Sequence, residues 1–148
     1  MSQPDLWPLD LSEREVAYFA GLFDGEGSIG IYGSKYKASV ANTDPRPLFR
    51  LKELFGGNVR RADARVTCPS VVWAWEVSGD KAQRFVTVLY PDLIIKKEQA
   101  DIFLRARKFI TVGGPRRPEH QRRHLATAEA ELKRLKRLGR PQPMEQEA

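Results

Sequence analysis

The chain has 148 residues, 41% of them hydrophobic and 30% charged, the balance of one soluble domain with room for one modest core. No apolar run approaches the roughly 20 residues of a membrane span, Met1–Leu11 is acidic and Pro-bearing rather than a leader, and the lone Cys68 excludes an internal disulfide and an all-cysteine metal site. The net charge of +6 is concentrated late, with 11 Lys/Arg and 12 Asp/Glu in residues 1–95 against 14 and 5 in residues 96–140, which is the electrostatic footprint of a nucleic-acid binder in an intracellular, soluble setting.

Ser12 with Glu15 three residues on has capping-box spacing and opens a helix. Val16 to Phe23 is almost wholly apolar or small, so this helix is covered on more than one side; Gly25 and Gly27 end it. Residues 26–33 alternate as a strand, Gly33-Ser34 is a turn, and residues 35–43 return with Tyr36, Ala38 and Val40 on one side and Lys35, Lys37 and Ser39 on the other. Asp44 or Thr43 caps a second helix with Pro45 in its first turn, and Gly56-Gly57 stops it. A second hairpin follows, with strands over 58–66 and 71–78 and Cys68-Pro69-Ser70 near its turn. Helices are expected over 81–89, from Lys96 to Ile110 and over 118–138, with Gly113-Gly114-Pro115 between the last two. His120 and His124 have the i, i+4 spacing that suits a metal, but Arg117, Arg122 and Arg123 crowd them and the bland reading is a basic helix face.

Four antiparallel strands with helices on one face make an α+β sandwich. The uncovered sheet face should be polar, and it would present Tyr32, Ser34, Lys35, Lys37, Ser39 and Arg60. Two-stranded ribbons fit the major groove of B-DNA, and long polar side chains on them reach base edges. Ser28, Arg61, Arg65 and Lys97 join the candidate DNA contacts; the bland alternative is an ordinary wet sheet face.

Two features of the first helix bear on chemistry. Ala17, Ala20 and Gly21, at spacings of three and four, would let another helix come close. Asp24 and Glu26 stand at the helix C-terminus, where carbonyls already carry partial negative charge, so they need an offsetting cation; a hard divalent ion such as Mg2+ is one, and a solvated helix end is the alternative.

Phe19-Ala20-Gly21-Leu22-Phe23-Asp24-Gly25-Glu26-Gly27, continued by Ser28-Ile29, resembles the nine-residue motif of the LAGLIDADG homing endonucleases, with Phe for the first Leu, Phe for Ile, Gly for Ala and Glu for the second Asp. One copy is present, the pattern of members that act as homodimers. Asn42-Thr43-Asp44, Phe55-Gly56-Gly57 and Tyr90-Pro91-Asp92-Leu93-Ile94-Ile95-Lys96-Lys97-Glu98-Gln99-Ala100 are similar to further family landmarks, so the resemblance spans residues 12–110. Residues 111–140 are then a basic helical extension, and 1–11 and 141–148 flexible tails.

The resemblance implies an αββαββα fold with a four-stranded sheet and an extra basic C-terminal helix. It implies a homodimer packed through Ala17, Ala20 and Gly21, with Asp24 in a more structural role, hydrogen-bonded at the helix end or at the dimer seam, that makes a staggered double-strand break in a long pseudo-palindromic duplex. It places Glu26, helped by the Gly25 carbonyl, on Mg2+ (Mn2+ as substitute), Lys96 beside the phosphate with Lys97 the next candidate, and Asp44 where a polar residue orients water or, being an acid, touches metal. The alternative on the same fold is a non-cutting RNA maturase or DNA-binding regulator.

Overall fold

The computed structural model describes residues 10–62 and 71–138. The elements run α1 (Glu13–Glu26), β1 (Gly27–Tyr32), β2 (Lys35–Asn42), α2 (Arg46–Phe55), β3 (Asn58–Ala62), β4 (Val72–Ser78), α3 (Gly79–Leu89), a 3-10 turn over Tyr90–Asp92, α4 (Lys97–Phe109), a 3-10 turn over Gly114–Arg116 and α5 (Glu119–Leu138). This is the expected α+β order with the added basic helix. The cap expected for α1 forms, with Glu15 N–H donating to Ser12 Oγ at 3.1 Å. Asp44 Oδ1 accepts the Arg46 N–H at 3.0 Å and covers a first-turn donor of α2. The expected turn at Cys68-Pro69-Ser70 lies outside the described residues.

The four strands pair antiparallel in the order β1-β2-β4-β3. Period-two alternation sends Ile29 and Ile31 of β1, Tyr36, Ala38 and Val40 of β2 and Trp75 and Val77 of β4 to one face, where all are buried. Helices α1 and α3 pack on β2, α2 on β4, and α4 and α5 on β1. Phe85 of α3 is the hub of this core. Its ring meets Phe23, Phe55 and Trp75 edge to face at centroid distances of 5.1, 5.1 and 4.8 Å. The Trp75 indole N–H donates to the Gly56 carbonyl at 2.8 Å, so a buried polar atom is satisfied where α2 stops.

The last helix, expected as a basic C-terminal extension, is joined to the core. Leu125, Ala128 and Leu132 of α5 are buried in the same core as α1 and the sheet, and α5 packs along α4 and β1.

Truncating the hub tests this core. Phe85→Ala is expected to lower unfolding stability by about 3–5 kcal/mol; an unchanged urea midpoint would show that the four-ring contact does not organise the fold.

Candidate active site at the end of the first helix

Helix α1 runs into β1 with no intervening loop. Gly27 makes the junction possible: its N–H donates to the Phe23 carbonyl, and a Cβ there would lie 2.2 Å from the Phe23 ring and 2.5 Å from that carbonyl oxygen. Glu26, the last helical residue, is therefore exposed at a fixed point where the helix layer meets the sheet.

Asp24 is 8% exposed, and both its oxygens are engaged within the chain. The Ile94 N–H donates to Oδ2 at 2.8 Å and the Lys96 N–H to Oδ1 at 2.9 Å. The Lys96 ammonium donates to the Asp24 main-chain carbonyl at 2.6 Å. A buried carboxylate at the negative end of a helix is thus offset by two peptide donors and a cation. Burial of Lys96 lowers its proton affinity below that of an ordinary lysine; Asp24 and Glu26 oppose that shift, and Lys136 adds to it. Lys96, not Lys97, faces the end of α1, for Lys97 Nζ sits 5.1 Å from the centre of the Tyr90 ring.

The expected dimer residues divide. Ala20 is fully buried in its own core and so is not on an outer seam, while Asp24, nearly as buried, takes its hydrogen bonds at the helix end, one of the two places expected for it. Ala17, Gly21 and Gly25 instead form an exposed stripe at spacings of four, and no atom outside the helix lies within 4 Å of a Cβ built on either glycine. Tyr18 on the same helix is exposed, and Ile94 and Ile95 in the Asp24-bound loop are 84% and 68% exposed.

Asp44 lines a cleft with Glu15, Tyr18, Phe19, Arg46, Pro47 and Arg50 beside α1. Its carboxylate is forked by Arg46, which holds it at a pKa of about 2, so within the chain its partner is a guanidinium.

The outer sheet face carries Ser28, Tyr32, Lys35, Lys37, Ser39 and Arg60, as alternation predicted, in the cross-strand pairs Ser28–Ser39 and Tyr32–Lys35. Arg61 pairs with Trp73, on the opposite face from Arg60, and leaves that set. Ser34 sits in the turn beside Tyr36 and Arg107, and Arg65 lies outside the described residues. Glu76 of β4 also stands on the outer face and forms an ion pair with Lys37; the alternation of β4 contained that signal. Lys136 of α5, unsignalled by any local pattern, reaches Ser28 Oγ at 3.3 Å. The two histidines pack on Phe109, with ring centroids 6.0 and 4.2 Å away.

The donors at the helix end are the Glu26 carboxylate and the Gly25 carbonyl, hard oxygens that suit Mg2+ or Ca2+. Among the described residues no three His, Cys, Asp or Glu side chains converge. A hard cation held at the helix end would need further ligands besides these two oxygens.

No family model matches the chain, and no curated protein matches it. Solved structures match its fold. The homing endonuclease I-CvuI, in complex with its target in the presence of Ca, matches with a TM-score of 0.64 and 20% identity over 82% of each chain. I-CvuI in complex with the I-CreI target in the presence of Mg matches at 0.61 and 20% identity over 83% of this chain and 82% of its own. The archaeal intron-encoded homing endonuclease I-Vdi141I, complexed with DNA, matches at 0.67 and 17% identity over 83% and 84%. The chain has the LAGLIDADG homing endonuclease fold.

Asp24→Asn leaves one of two buried peptide donors facing an amide that cannot accept at both ends. Stability should fall by about 1–3 kcal/mol, and amide exchange at Ile94 and Lys96 should accelerate. Wild-type protection at both amides would mean that Asp24 does not hold this loop.

Proposed function

We propose that the protein is a homodimeric, site-specific DNA endonuclease that cuts both strands of a long pseudo-palindromic target with a stagger, using Mg2+. The observation that carries this reading is the exposed Glu26 carboxylate beside the half-buried Lys96 ammonium, set at the base of an open sheet face bearing Lys35, Lys37 and Arg60. A pure binder has no need for an acid at this point of a cationic face. The DNA-bound homing endonucleases that share the fold support the same substrate class.

Each residue then has a task. Glu26 and the Gly25 carbonyl hold the metal, which when bound supplies Lewis-acid polarisation of the phosphate and an activated water. Lys96, fixed by Asp24, places positive charge where the phosphate gains negative charge in the transition state. The outer-face side chains of β1, β2 and β3 enter the groove, with those on phosphates setting register and those on base edges setting sequence. The Lys37–Glu76 pair fixes one such side chain, and its carboxylate is also an acceptor for a cytosine amino group.

The homodimer is supported by the exposed stripe Ala17, Gly21 and Gly25 flanked by Tyr18, Ile94 and Ile95. Two copies of α1 packed along that stripe bring two Glu26 carboxylates to one axis, each serving one strand. Gly21→Arg should convert dimer to monomer in sedimentation and abolish double-strand cleavage; a monomeric wild type that cuts both strands would overturn the arrangement.

The decisive experiment gives purified protein a randomised duplex library with Mg2+ or with EDTA and sequences the ends. Metal-dependent cuts at one pseudo-symmetric site are expected, and Glu26→Gln should lose cutting while keeping duplex affinity within a few fold. Duplex binding without cuts at any divalent ion would replace the nuclease by a regulator, and RNA binding alone by a maturase.

A further inference from the structure

Most of the charge on α5 is spent within the helix: Arg123 pairs with Glu119, Lys133 with Glu129 and Arg134 with Glu131. Lys136 is different. It lies one turn beyond Leu132, on the face of α5 that carries the buried Leu125, Ala128 and Leu132. Packing of that face on α4 and β1 carries the ammonium onto the outer face of the sheet.

The landing place is built. Lys136 Nζ is 3.3 Å from Ser28 Oγ and 5.9 Å from the centre of the Tyr32 ring. That ring lies over Gly30, where a Cβ would come within 2.4 Å of it, so only glycine lets the platform form. Ser28 follows Glu26 by two residues. Lys136 is half-buried, and no carboxylate among the described residues lies within ion-pair distance of it. A half-buried ammonium seated on a hydroxyl two residues from the exposed Glu26, with no carboxylate to offset it, is an arrangement that an anion would stabilise.

We propose that Lys136 Nζ and Ser28 Oγ together bind a backbone phosphate of the DNA strand lying at Glu26, which makes the C-terminal helix part of the cleavage site rather than a contact to flanking duplex. The inference rests on the endonuclease reading above. A neutral hydroxyl and a lysine suit a non-bridging phosphate oxygen, the hydroxyl donating and the ammonium adding charge. Because α5 belongs to the core, removing it would unfold more than the contact, and point substitutions are the appropriate probe.

Full-length wild type, Lys136→Ala, Lys136→Arg and the control Lys133→Ala are compared in two assays. One measures affinity for a random-sequence duplex of about thirty base pairs in EDTA against salt; the other measures single-turnover cutting of the duplex recovered by selection. Lys136→Ala should reduce the salt slope by about 0.9 log units per protomer and slow cutting by about ten- to a hundredfold, the worth of one charged hydrogen bond. Lys136→Arg should restore most of both, and Lys133→Ala should match wild type. A wild type that cuts alongside a Lys136→Ala protein with unchanged slope and rate overturns the inference alone. Equal losses in Lys136→Ala and Lys136→Arg, with a lowered thermal midpoint in both, also overturn it in favour of a packing role. A wild type that neither binds nor cuts duplex overturns the functional reading, and the inference with it.

Discussion

Asp24 holds together two parts of the chain seventy residues apart, and it does so from the least favourable position for a carboxylate on a helix. Its side chain accepts the main-chain N–H groups of Ile94 and Lys96, and its own carbonyl accepts the Lys96 ammonium. The helix end, the loop and the lysine are thereby one unit. The two acids of the first motif consequently differ in kind. Asp24 has both oxygens committed to peptide donors and sets the position of Lys96; Glu26, two residues on, keeps its carboxylate at the surface. A residue that is structurally saturated and one that is open can sit side by side only because the helix turns them to different sides.

The placement of Glu26 depends on the core beneath it. Phe23, one turn back, is fully buried against Phe85, and its carbonyl and ring together fix Gly27. With the helix passing directly into β1, the acid inherits the rigidity of both layers. Sites built on helices and strands hold their geometry better than sites on loops, and here the loop that contributes Lys96 is itself tied to the helix by charge-assisted hydrogen bonds.

Much of this was legible in the chain itself, because period-two and period-3.6 patterns are local. The strands and helices begin and end within a residue or two of where alternation, caps and glycines put them, except where residues 63–70 are not described. Lys96 and Lys97 could be singled out as candidates by their motif, but that Lys96 is the one bound at the end of α1 is seen only in the Asp24 contacts. Ala20 was misplaced for a physical reason: a small residue serves a close helix contact and a tight core equally well, and only the packing of Val16, Phe19 and Phe23 shows which side is inward. The grip of the Arg46 guanidinium on Asp44 was not legible, being a loop-level event with no periodicity behind it. Arg61 was separable from Arg60 by alternation alone. Lys136 and Ser28 are 108 residues apart, and nothing local joins them.

The sheet has two lateral margins, and they are unequal. β1 has α4 and α5 against it, whereas β3 ends the sheet on the other side with Arg60 and Arg61 exposed along it. Unpaired peptide groups at a sheet margin are a template for strand addition from another molecule, and charge is a common deterrent. The exposed arginines of β3 thus discourage strand addition at that margin.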